Sequence, residues 1–254
     1  MNGVLAAGLW GLLGGSALVL GAAIAWVAKL PQRLIAAIMA IGSGVLISAV
    51  AFDLMDEAFA KGGFDSTAAG FLGGAIVYTA ANVFISRRGA RHRKRSGSNP
   101  QASQPAAEEG GSGTAIAVGA LLDGIPESVV IGVSLLGGAG VSIVTVAAVF
   151  LSNVPEGLSS AAGMKAAGRS ALYVFGVWGG IALASGIAAM AGNWLLAGAD
   201  PDLIAGTTAV AAGAILAMLV DTMIPEATES THEYSGLIAV TGFLLAFILT
   251  KLGG

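Results

Sequence analysis

Of 254 residues, 56% are hydrophobic and 11% charged, with a formal net charge of −3; the mean hydropathy is +0.84. That balance excludes an ordinary soluble domain, and apolar runs of about 20 residues, enough to cross roughly 30 Å of hydrocarbon, place the chain in a bilayer. With no cysteine, disulfides, thiolate metal sites and thiol catalysis are excluded as well.

Hydropathy predicts about eight spans, near 3–27, 34–58, 67–86, 114–136, 141–164, 171–195, 203–226 and 235–252. The first opens MNGVLAAGLW, without the basic flank of a signal peptide and with an apolar run too long for one, so it is expected to be retained. After the third span comes RRGARHRKRSGSNPQASQPAAEEGGSGT, basic at first and then rich in Ser, Gly, Pro and Gln. Such a composition cannot bury a core, and a disordered loop over 87–113 is the expectation. Its basic cluster reads as a topology anchor rather than a nucleic-acid patch, so no nucleic-acid partner is expected.

The distribution of Lys and Arg orients the chain. A cytoplasmic long loop puts Lys29, Arg33, Arg87, Arg88, Arg91, Arg93, Lys94, Arg95, Lys165 and Arg169 inside, leaving only Lys61 and Lys251 outside. Both termini are then external to a plasma (inner) membrane. A weak internal repeat aligns GVLISAVAFDLMDEA (44–58) with GAILAMLVDTMIPEA (213–227), matching Gly44 to Gly213 and Glu57 to Glu226. These stretches lie in the second and seventh spans, which run in opposite directions. The expected fold is therefore an all-α polytopic membrane protein of about eight helices in a 3+2+3 arrangement with an inverted repeat. Residues 1–86 form the first three-helix unit, 114–164 the central pair and 165–254 the second unit. Gly-rich faces suit either close packing within the chain or a homodimer.

The central pair carries the chemistry. LLDGIPES (121–128) and FLSNVPEG (150–157) each set a Pro-Glu pair near the middle of an apolar span. A carboxylate at that depth costs a few kcal/mol even on lenient scales, so two in matching contexts point to a site. Asp123 and Glu127 are four residues apart and share a helix face, as do Ser152 and Glu156, with Asn153 beside them. Pro126 and Pro155 cannot donate the helical hydrogen bond, which frees the carbonyls of Leu122 and Leu151. A cation held by Asp123, Glu127, Ser152, Asn153 and Glu156 is the expected use. A proton relay through the same carboxylates is the other reading.

These residues resemble a family. SNVPEGLSSAAGMKAAGRS (152–170) is similar to the fifth span of the ZIP (ZRT/IRT-like) divalent metal transporters, and LLDGIPES resembles that family's fourth-span motif. The resemblance extends to the expected span count, external termini, long loop and repeat. It implies a primary metal site at Asp123, Glu127, Ser152 and Glu156, a contribution from Asn153, an outer position at Asp53, and inward positions at Asp221 and Glu226. There are departures. Asp123 stands where the family has His, Gly124 where it has Asn, and Ser128 where it has Gly; Leu46 occupies the place of a soft Met ligand in some members. The sixth span lacks a Glu to bridge a second metal, so one metal position is expected.

His92 and His232 lie outside the predicted spans and read as solvated loop residues, which leaves an all-oxygen site. Oxygen ligands suit Mn²⁺ or Mg²⁺ better than zinc, although zinc accepts carboxylates and the resemblance favours zinc or iron. The expected cargo is thus a divalent ion (Zn, Fe, Mn or similar), with no organic cofactor. Asp53, Asp56 and Glu57 would draw it to an outer mouth, and Asp221 and Glu226, with Glu229 and Glu233 beyond, would receive it inside. No phosphate-binding glycine loop is present, so an ion gradient or coupled protons would drive transport. The rivals are a proton-coupled carrier of a small organic solute and a membrane metal sensor. An enzyme is not expected: the His cluster of a membrane metallohydrolase and the paired Asp of an intramembrane protease are both missing.

Overall fold

The structure, a computed structural model, describes residues 3–96, 104–105, 112–137 and 141–253. These are almost wholly helical, and no strand occurs among them. The main helices are α1 (Gly3–Val27), α2 (Gln32–Ala49), α3 (Met55–Ile85), α4 (Ser112–Ser134) and α5 (Ile143–Ala166). They continue as α6 (Ala171–Leu195), α7 (Pro201–Met218), α8 (Ile224–Thr231) and α9 (Ser235–Gly253). Helices start where their first N–H groups find acceptors or need none. The hydroxyls of Ser142 and Ser170 accept from the amides of Thr145 and Tyr173 at the starts of α5 and α6. Pro201 opens α7, where a missing N–H costs nothing.

Among the described residues, seven helical runs are long and apolar enough to cross a membrane. Their outer faces confirm the solvent they are made for: Leu237, Val240, Leu244 and Leu245 of α9 are each more than half exposed. In water such a face would be a large apolar patch, whereas lipid tails solvate it without cost. One run, Gln32–Ala90, is 59 residues long, and at about 1.5 Å per residue it far exceeds one bilayer thickness. It breaks at Gly63, whose φ of 66° and ψ of −171° suit only glycine. The predicted loop between residues 58 and 67 is thus mostly helix, interrupted at a single residue.

Packing follows the small residues. α1 lies against α5 and α6, α2 against α5 and α9, α3 against α7, and α4 against α6 and α7. Where α2 crosses α9, a Cβ on Gly44 would strike the carbonyl of Ala239, and one on Gly242 the carbonyl of Ile41. The α3–α7 crossing repeats the device, with Gly74 against the Val210 carbonyl and Gly213 against that of Phe71. Backbone approach this close is how helices attract one another when hydrocarbon surrounds them on all sides. A core of Met39, Leu46, Ile215, Met218 and Leu219 fills the space between α2 and α7.

Gly44 and Gly213, aligned by the sequence repeat, share a further feature. Each is followed six residues later by a π-helical turn, Val50–Leu54 after α2 and Leu219–Met223 after α7. Such turns widen a helix locally and re-aim the side chains beyond them.

The start of the long loop departs from expectation. Residues 87–113 read as disordered, yet Ser86–Ala90 forms another π-helical turn, Gly89 takes a φ of 107°, and the chain doubles back into the bundle. Arg93 is 1% exposed and Lys94 3%. Composition alone assigns such residues to water. Here buried carboxylates supply the compensation that makes their burial tolerable. Of the rest of this loop, residues 97–103 and 106–111 lie outside the described residues.

Candidate functional site

α4 and α5 each contain a proline midway, Pro126 and Pro155. One turn before or next to these kinks stand Asp123, Glu127 and Glu156, all between 1% and 3% exposed. Left bare, three carboxylates in so dry a place would repel one another and lose several kcal/mol of hydration each. The fold answers with two cations from the returning loop.

Arg93 grips Asp123 with two parallel bonds, Nε to Oδ2 at 2.9 Å and Nη2 to Oδ1 at 2.7 Å. Its Nη2 also donates to the Tyr78 hydroxyl at 2.9 Å, and Nη1 donates to Asn82 Oδ1 at 3.0 Å and the Ala90 carbonyl at 3.2 Å. Tyr78 in turn donates to Asp123 Oδ1 at 2.6 Å. Lys94 spans the two helices: its Nζ lies 2.9 Å from Glu156 Oε2 on α5 and 3.3 Å from Asp123 Oδ2 on α4. Glu127 is different. It lies within electrostatic reach of Glu156, Lys94 and Asp123, yet among the described residues neither of its buried oxygens has a hydrogen-bond partner. Three carboxylates thus face two cations, leaving one negative charge, or one proton, in excess.

The backbone of the inserted segment is stapled to α5 and α8. Ser160 Oγ donates to the Arg93 carbonyl at 2.6 Å, Ser159 Oγ to the Lys94 carbonyl at 2.8 Å, and Gln104 Nε2 reaches the carbonyls of Arg93, Arg95 and Ser160. Arg95 pairs with Glu229, and Glu226 accepts from the Ser96 amide at 2.9 Å and from the hydroxyls of Ser96 and Ser159. Two adjoining polar cavities, of about 210 Å³ and about 370 Å³, share Arg91, Asp221 and Thr222 as lining, and the smaller reaches Lys94.

The remaining residues singled out from sequence fall into two groups. Asp221, which accepts from Asn82 Nδ2 at 3.1 Å, and buried Glu226 lie on the stretch that continues α7 and border the inserted loop. Others turn elsewhere. Asn153 commits its amide nitrogen to the Gly14 carbonyl of α1 at 3.1 Å, and Ser152 bonds back to Val149 in its own helix. Neither is aimed at the carboxylates. Asp53 meets Thr250 at 3.4 Å and lies within electrostatic reach of Asp56 and Glu57, of which Glu57 pairs with Lys61 and Asp56 is exposed. Among the described residues no group of three or more His, Asp or Glu is spaced to hold a metal ion, the central carboxylates included. With Arg93 and Lys94 seated between them, the space a metal would need is taken by nitrogen.

Sequence reasoning missed Tyr78, Asn82, Arg93, Lys94, Ser159 and Ser160. Tyr78 and Asn82 are four apart on α3, a polar pair at helical spacing inside an apolar span, and that signal was available. The role of the two cations was not, because it depends on a chain reversal no local pattern announces. Chemically the site is a buried, acidic, proline-bordered cluster that holds positive charge equal to two elementary units in Arg93 and Lys94. No protein-family model matches the chain, and no curated protein does.

Proposed function

We propose that the chain is a divalent metal cation transporter of ZIP-like type, carrying its ion into the cytoplasm through the carboxylates of α4 and α5. The observation that carries this reading is Glu127, a buried carboxylate beside Asp123 and Glu156 with no hydrogen-bond partner among the described residues, on helices whose prolines free further carbonyl oxygens. Buried acids in lipid without a structural partner are the usual mark of a cation path. With only oxygen donors at hand, Mn²⁺ suits the site better than Zn²⁺.

The architecture supports alternating access. Seven apolar runs cross in this reading, and a division of the longest, Gln32–Ala90, at Gly63 would bring the number to the eight of the 3+2+3 order we propose. α1 and α6 pack on one another, α2 on α9 answers α7 on α3, and α1 on α5 answers α6 on α4. That exchange of partners is what a pseudo-two-fold axis in the membrane plane produces, and the paired π-helical turns fall in the same register. The two three-helix units would then rock against the central pair, with both termini outside and the 87–113 loop in the cytoplasm of a plasma (inner) membrane.

A metal sensor is the second reading, favoured by one specific fact: Arg93 and Lys94 occupy Asp123 and Glu156, which makes binding without passage a coherent use. Proteoliposomes separate the two. Wild-type protein should accumulate Mn²⁺ or Zn²⁺, and Glu127→Gln or Glu156→Gln should reduce uptake by about tenfold or more, as loss of a charged ligand implies. Binding without flux would leave the sensor. Neither binding nor flux, in folded protein, would overturn the metal reading in favour of an organic-solute carrier. Asp123→His should move preference toward Zn²⁺ if the oxygen set governs selectivity.

A further inference from the structure

Arg93 and Lys94 together carry the charge of one divalent ion, and Lys94 joins Asp123 of α4 to Glu156 of α5 as a bridging metal would. Resting on the metal reading above, we infer that this pair is a tethered counter-charge that changes places with the cargo. It leaves the carboxylates as a divalent ion enters and returns as the ion departs.

Four features argue for exchange rather than a permanent lock. Beyond the bonds that Arg93 and Lys94 make within the carboxylate cluster, the segment is held by polar contacts: serine hydroxyls on the carbonyls of Arg93 and Lys94, Gln104 on those of Arg93 and Arg95, and the pairing of Arg95 with Glu229. The whole stretch from Arg91 to Ser96 has no apolar side chain to anchor it. Gly89, at a φ of 107°, supplies a pivot between α3 and the segment. Finally, the smaller cavity is lined by Lys94 and shares Arg91, Asp221 and Thr222 with the wider one, which sets free space beside the segment.

The exchange solves a problem of the empty carrier. After unloading, bare carboxylates would have to be carried through a low-dielectric interior while the helices reorient. With the pair back in place the site is neutralised to the same extent as when loaded, and the return step is no harder than the forward one. Valence selectivity follows, because a monovalent ion replaces only one of the two departing charges.

The test uses full-length protein and Mn²⁺ or Zn²⁺. The R93Q/K94Q variant should bind the ion about tenfold more tightly than wild type, since the competent, vacated site is no longer a minor fraction. Its net uptake into metal-free vesicles should fall, while exchange of ion between loaded vesicles and the bath persists. Equal affinity in the folded double variant overturns the counter-charge and leaves the metal reading standing. Absence of binding in both folded forms overturns both. A second measurement keeps both cations: Ser96→Cys places a single thiol in a cysteine-free chain. Its reaction with a water-soluble maleimide should quicken several-fold when the ion binds, and an unchanged rate at saturating ion overturns the inference.

Discussion

Arg93 has five N–H groups, and the fold gives every one an acceptor: two on Asp123, one on Tyr78, one on Asn82 and one on the Ala90 carbonyl. A guanidinium so fully met is a strong local organiser, and removing it strands Asp123. In metal-free protein, Arg93→Ala should cost about 3–5 kcal/mol, the usual penalty for orphaning one half of a buried pair. Tyr78→Phe should cost about 1–2 kcal/mol, because one bond to Asp123 and one acceptor for Arg93 go together. Thermal unfolding in detergent measures both, and a Tyr78→Phe effect as large as that of Arg93→Ala would contradict this ranking. At this scale the sequence was legible for the acids and illegible for their partners. Asp123, Glu127 and Glu156 stand out because a charge inside an apolar run has no other excuse. Arg93 and Lys94 sit in a run of seven basic residues among Ser and Gly, where each resembles any solvated anchor. Only a reversal of direction at Gly89 gives two of them a different fate.

At the scale of elements, glycine decides which helices meet. Gly213 faces the Phe71 carbonyl so closely that any side chain must push α3 and α7 apart, whereas Gly180 on α6 has open space where a Cβ would go. Gly213→Val should therefore lower stability by about 1–3 kcal/mol, the range for overpacking, while Gly180→Ala should leave it unchanged or slightly raised. Matching midpoints for the two variants would mean that the crossing is not as tight as drawn. The helices themselves were readable from hydropathy, to within a few residues at most ends. The division between the second and third spans was legible too, since Gly63 falls between residues 58 and 67; hidden was that the polar residues on either side of it remain helical. The π-helical turns were equally hidden, since they are set by how α2 and α7 settle against their neighbours rather than by propensity.

Across the whole molecule, the placement of charge predicts which face meets which compartment. Asp65→Cys and Arg88→Cys each put one exposed thiol on a background without cysteine, the first just after the break at Gly63 and the second in the π-helical turn that follows α3. In intact cells an impermeant maleimide should label the first and spare the second, and permeabilised cells should show both. Labelling of both from outside would overturn the orientation read from Lys and Arg.

The pairing of α2 with α9 has a bearing on how the molecule is made. α2 leaves the ribosome well before α9, yet the surface that fits its glycine face arrives only with α9. Between the two, a strip of bare backbone on α2 waits in the lipid, available to any passing helix of similar shape. The crossing closes only once α9 has been made, and a nascent chain cut short just before it would be left with an adhesive seam where the longer one has a closed one.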